Sequence, residues 1–209
     1  TLQKQDGIKT TAKNNLPRSA VKEMMKVFLD EDEKAKILEW NKVVNEHDIA
    51  PIHESRLVCQ TAGIIGLTKG KFVVRKKYES LLNPENAGEL FATLFMSFFR
   101  EYNIAYLDGA PDFPDIQGTI AYSLSRLVSL GENWIPAEDL PNQILLPLVR
   151  ENIENAMSSH LYSLTQQILE LRILRKLVDW GFIEKKMTNQ GFLSSIEKIR
   201  VTPLMRQFI

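Results

Sequence analysis

Cysteine is nearly absent from this sequence. A single residue, Cys59, excludes an internal disulfide and a cysteine-rich zinc module, and it suits a reducing, cytoplasmic setting. In its apolar helical stretch it reads as a small buried hydrophobe. Long apolar runs are missing too, because charged residues interrupt each stretch before it reaches the ~20 residues that span a bilayer. Residue 1 is Thr, with no signal-like segment after it, so the chain is expected to begin inside a longer or trimmed protein. There is no Gly-rich phosphate loop, no paired-histidine metalloprotease helix and no nucleophile elbow. The reading is therefore non-enzymatic, with no cofactor.

An excess of either charge is also lacking, with 26 Lys/Arg against 26 Asp/Glu. That argues weakly against a dedicated nucleic-acid binder, but the distribution along the chain is uneven. Residues 1–80 carry 15 basic and 11 acidic residues, residues 81–160 carry 3 and 11, and residues 161–209 carry 8 and 4. Two mildly basic ends thus flank an acidic middle, an asymmetry that can mark nucleic-acid-facing regions. With 44% apolar residues among 209, the chain can bury a sizeable core, as one large domain or two small ones.

The pattern along the chain predicts a mainly α protein with small β-hairpins. Ile8–Ala12 reads as a short strand and Pro17 as a helix start. Val21, Met24, Met25 and Phe28 then recur at helical spacing. Asp30-Glu31-Asp32-Glu33 suits the N-terminus of a second helix, where the helix dipole favours acids. A third helix opens at Pro51, with Asp48 as its expected cap, and stops at Gly63. Ile64–Arg75 reads as strand, turn and strand with Lys69-Gly70 at the tip. Three helices followed by a hairpin is the plan of a winged helix.

The last third repeats that plan. An apolar stripe from Leu161 to Val178 leads through Trp180-Gly181-Phe182-Ile183 into a basic hairpin, with a turn at Thr188–Gly191 and a return strand at Ile196–Val201. The expected organisation is two winged-helix-like units, 1–82 and 151–209, linked by an acidic, aromatic-rich helical middle, 83–150.

Residues Gly7-Ile8-Lys9-Thr10-Thr11-Ala12-Lys13-Asn14-Asn15-Leu16-Pro17, Asn45-Glu46-His47-Asp48, Gly63-Ile64-Ile65 and Lys71-Phe72-Val73-Val74 carry a resemblance. They resemble segments of uncharacterised bacterial proteins related to an open reading frame of an agrobacterial root-inducing plasmid. The likeness covers roughly the first half of the chain. It departs at Asn14, where the usual pattern has Gly. The resemblance implies a winged-helix-like unit within a larger protein, and no activity.

The basic hairpins carry the sharpest functional expectation. Lys69, Lys71, Arg75 and Lys76 on the first, and Lys185 and Lys186 on the second, are expected to contact DNA phosphates. Arg56 and Gln60 on the third helix, and Arg172 and Arg175 on the last long helix, are the candidates for reading base edges. Glu54, Glu170 and Asp179 stand among them and would repel phosphates. The competing reading is a protein-interaction region. There the Phe91, Phe95, Phe98 and Phe99 stripe would cover a homodimer or protein interface, although aromatics at helical spacing are more often core. His47, Asp48, His53 and Glu54, and separately Asp108, Asp112 and Asp115, offer metal-ligand types. Capping and a rigid Pro-rich loop explain them more simply.

Overall fold

The computed structural model describes residues 7–156, 164–188 and 195–209. It is mainly helical, with two three-stranded antiparallel sheets. The chain separates into two compact units, Thr1–Tyr102 and Asn103–Ile209. The segment 83–150, expected as a linking middle, is divided between them. Its first helix lies in the first unit and the remainder in the second.

In the first unit, β1 (Ile8–Lys9) precedes α1 (Arg18–Phe28), α2 (Glu31–Trp40) and α3 (Ala50–Thr61). The hairpin β2 (Ile65–Thr68) and β3 (Lys71–Val74) follows, then α4 (Ala87–Arg100). The sheet order is β1-β3-β2. β1 is shorter than the Ile8–Ala12 read from sequence, because the chain turns away through Asn14. Asn14 has φ 56°, a left-handed conformation that Asn tolerates better than most residues. Asparagine therefore serves this turn.

The helix termini follow their residues. Asp30 accepts from the Glu33 N–H at 2.8 Å while the Glu33 carboxylate accepts from the Asp30 N–H at 3.1 Å, a reciprocal cap on α2. Asp48 does not cap α3 as expected. Its carboxylate accepts from the backbone N–H of Asn45 at 2.7 Å and closes the turn before the helix. Gly63 at φ 71° ends the α3 segment.

Val21 and Met25 from α1, Ile52 from α3 and Phe72 from β3 meet in one core with Leu16, Leu29 and Ile49. Fully burying one such side chain contributes about 1.5–3 kcal/mol, so these residues fix α1 and α3 on the sheet. α2 contributes no fully buried residue, and only Ile37 packs against the core. α3 packs against both α1 and α4.

In the second unit, α5 (Pro114–Gly118) and α6 (Ile120–Ser129) precede β4 (Ile135–Pro136), α7 (Leu140–Ile144) and α8 (Pro147–Ala156). Pro141 and Pro147 each fall in a first helical turn, where a missing N–H costs nothing. α9 (Leu164–Leu169), a π-helical turn (Glu170–Leu174) and α10 (Arg175–Asp179) run on as one rod. β5 (Ile183–Met187), β6 (Ile196–Val201) and α11 (Pro203–Phe208) complete the unit. The sheet order is β4-β6-β5, so here too a short earlier strand joins the second strand of the hairpin. The turn expected at Thr188–Gly191 and the helix start at Leu161 lie largely or wholly outside the described residues.

Candidate nucleic-acid interface

The first hairpin is closed by Lys69 at φ 49° and Gly70 at φ 72°, with Thr68 paired to Lys71. Two consecutive positive φ values make the tight turn whose twist matches the strands, as the Lys-Gly pair suggested. The Thr10 N–H donates to the Gly70 carbonyl at 2.8 Å, tying the tip to β1. Lys69, Arg75 and Lys76 are exposed and Lys71 is half-buried. Arg75 lies along the hairpin over Gly66, where a Cβ would come within 3.0 Å of its Nε. Lys77 stands over the Tyr78 ring at 4.5 Å. This short exposed element gathers five cations.

The second hairpin is electrostatically mixed. Lys185 and Lys186 are exposed. Across the ladder Arg200 pairs with Glu184 at 2.5 Å. The Lys186 ammonium lies 4.3 Å, and the Arg200 guanidinium 4.9 Å, from the ring centroid of Trp134, just before β4. The sequence reading passed over Trp134. Only the pairing of β4 with β6 brings it beside residues more than fifty positions later.

The helical candidates have partners within their own units. The Arg56 side chain is only 9% exposed. Its Nη2 lies 2.6 Å from Glu46, another nitrogen donates to Gln60, and the guanidinium faces the Phe72 ring at 5.5 Å. Arg56 and Gln60 are thereby used inside the unit. Arg172 is 1% exposed. It donates to Asp108 and to the Pro111 carbonyl, both at 2.6 Å, and faces Phe113 at 5.7 Å. Arg175 is more open but pairs with Glu170 at 2.7 Å. The physical reason is burial. Arg56 and Arg172 lie on the packed faces of α3 and of the α9–α10 rod, where polar groups need internal partners.

Glu46, in the turn before α3, is a fully buried polar centre. It accepts from the Leu16 N–H, from His53 Nδ1 at 2.7 Å and from Arg56 Nε at 2.7 Å. Burial pushes its carboxyl pKa upward. The hydrogen bonds from Leu16, His53 and Arg56, with the Arg56 charge, outweigh that and hold the pKa below the ordinary carboxylate value. Glu170 plays a similar part in the second unit, accepting from the Ile196 N–H at 3.1 Å and from Arg175.

His53 is turned to Glu46, whereas His47 is exposed beside Asp48 at 3.5 Å. Asp108 is engaged by Arg172, and Asp115 accepts from Asn152 at 3.0 Å. Among the described residues, no three His, Cys, Asp or Glu side chains are grouped as metal ligands. The aromatic stripe lies mostly inside the first unit. Phe95, Phe98 and Phe99 are buried and stack on one another at 4.7–4.8 Å, while Phe91 is half-buried. They are core residues of α4 rather than a free partner face. Among the described residues, no helix is long and apolar enough to cross a membrane.

No curated protein and no solved structure matches the chain. The first 88 of the 209 residues, which hold the three helices and the basic hairpin of the first unit, match the family described as the Y4jL N-terminal domain.

Proposed function

We propose that the protein is a non-catalytic, cytoplasmic DNA-binding protein, whose two winged-helix-like units contact the phosphate backbone through their hairpins. The observation that carries this reading is the cluster of Lys69, Lys71, Arg75, Lys76 and Lys77 on one exposed hairpin and its exit, with Glu79 as the only acid between residues 69 and 79. The shared plan supports it. In each unit a helix ends at a glycine with φ above 70°, a hairpin follows, and a short third strand joins the sheet.

The burial of Arg56 and Arg172 shapes the proposal. With those side chains held in internal ion pairs, Arg56 and Arg172 are withdrawn from base edges, and the more open Arg175 is engaged by Glu170. Binding is then mainly electrostatic, weakly selective for sequence and steeply salt-dependent. Lys185 and Lys186 of the second hairpin add to it, tempered by Glu184.

The test is fluorescence anisotropy with a mixed-sequence duplex titrated against salt. The expected affinity falls steeply between 50 and 200 mM salt, by about tenfold or more if several phosphates are neutralised. Changing Lys69, Lys71, Arg75 and Lys76 together to Ala should flatten that dependence. Absence of binding at low salt overturns the reading. A protein-interaction role is the second reading, favoured by an open groove away from the hairpin tip.

A further inference from the structure

α1 and α2 leave a groove between them with a cavity of about 420 Å³. Its apolar lining is made by Met25, Leu38, Val43 and Val44. Its rim is cationic: Arg18, Lys22 and Lys26 stand on α1, facing Lys34 on α2 and Lys42 just beyond it. No carboxylate lines it among the described residues. The α1 cations recur every fourth residue, so they share one helix face over about 12 Å. Leu38 is 58% exposed, and on the same two helices Val27 and Trp40 are more than 80% exposed. α2 itself buries no residue fully, so core packing alone does not account for its apolar side. None of these residues belongs to the hairpin.

We propose that this groove docks an acidic amphipathic helix of a partner protein. Charge complementarity selects the occupant. A helix inserting an apolar ridge onto Leu38, Val43 and Met25 places flanking carboxylates against the two cationic rows. The ion pairs already present do not block this. Lys26 pairs with Glu23 at 2.9 Å and Lys34 with Glu31 at 2.6 Å, within single helical turns. Lys34 is itself mostly covered, but Glu23 and Glu31 are both open to water, and pairs of that kind are weak enough for a docking carboxylate to compete. A groove between two helices also suits an inserted side-chain ridge better than a flat layer of lipid headgroups. This is helix-in-groove recognition, with the apolar contacts supplying affinity and the charges orientation.

The experiment uses the full chain and a fluorescein-labelled 18-residue helical peptide, with Leu at every third or fourth position and Glu on both flanks. A control peptide carries Lys in place of each Glu. The expected result is saturable binding of the acidic peptide, at least tenfold weaker for the control. Lys22→Glu with Lys42→Glu, and separately Leu38→Asp, should each weaken binding tenfold or more with unchanged circular dichroism. Lys69→Ala with Lys71→Ala should leave it unchanged, which separates this groove from the DNA-contacting hairpin. Equal binding of both peptides, or no binding at low salt, overturns the proposal. So does binding only to phosphatidylglycerol vesicles, or self-association lost in the Lys22/Lys42 variant without peptide binding.

Discussion

Arg172 Nε lies 2.6 Å from Asp108 Oδ2, with the arginine 1% and the aspartate 9% exposed. A residue 64 positions later in the chain thus fixes the Pro-rich loop after Asn103, and its other nitrogen binds the Pro111 carbonyl of the same loop.

Removing one partner of this pair leaves the other charge buried alone, which costs about 3–5 kcal/mol. Arg172→Ala is therefore expected to lower the urea midpoint of the second unit strongly. Asp108→Asn keeps a hydrogen-bond acceptor but leaves the Arg172 charge buried without a counter-charge, so it too should lower the midpoint clearly. Equilibrium unfolding monitored by circular dichroism makes the comparison, and a midpoint for Arg172→Ala near that of the native chain would refute the assignment.

Glu46 gives the first unit a pH dependence of defined sign. Its folded pKa is lowered from 4.5, so the stability it confers is present above pH 4.5 and drains away as pH falls through the folded pKa. Glu46→Gln should remove this part of the acid sensitivity. It should also destabilise at neutral pH, by about 3 kcal/mol or more, since Arg56 loses its buried counter-charge. Unfolding curves at pH 3, 5 and 7 for both chains give the answer, and parallel pH profiles would exclude the role.

Cys59 is half-buried, and that desolvation raises its thiol pKa to about 11. The thiol is neutral at pH 8, and the neutral form is a poor nucleophile. Its native-state stability contribution is present below pH 9, the unperturbed value, and is lost as pH rises through about 11. Alkylation by iodoacetamide at pH 8 should be slow in the native protein and fast in urea. Equal rates measured by mass spectrometry would contradict the burial.

Ser123 is fully buried on α6, and its hydroxyl has no hydrogen-bond partner among the described residues. An unsatisfied buried hydroxyl costs about 1–3 kcal/mol. Ser123→Ala should therefore be neutral or stabilising, unlike most buried substitutions. A clear drop in Tm would show that the hydroxyl is satisfied in solution.

Local rules carried the sequence reading where the cause is local. Asp30 and Glu33 cap α2 because an acid three residues into a helix can reach back to the cap. Lys69-Gly70 turns the hairpin because glycine accepts positive φ. The stop at Gly63 follows from the same backbone limit.

What the amino acids determined by themselves is therefore the helical class, the two hairpins and the placement of exposed cations near the first tip, since these depend on neighbours a few positions away. Tertiary structure alone decided which charges face solvent. Arg56 and Arg172 look like Lys69 in composition. They lie on the packed faces of α3 and of the α9–α10 rod and turn inward to Glu46 and Asp108, because a buried guanidinium without a carboxylate is too costly to keep. Phe95, Phe98 and Phe99 form a core for the complementary reason: their apolar area gains most where water is excluded.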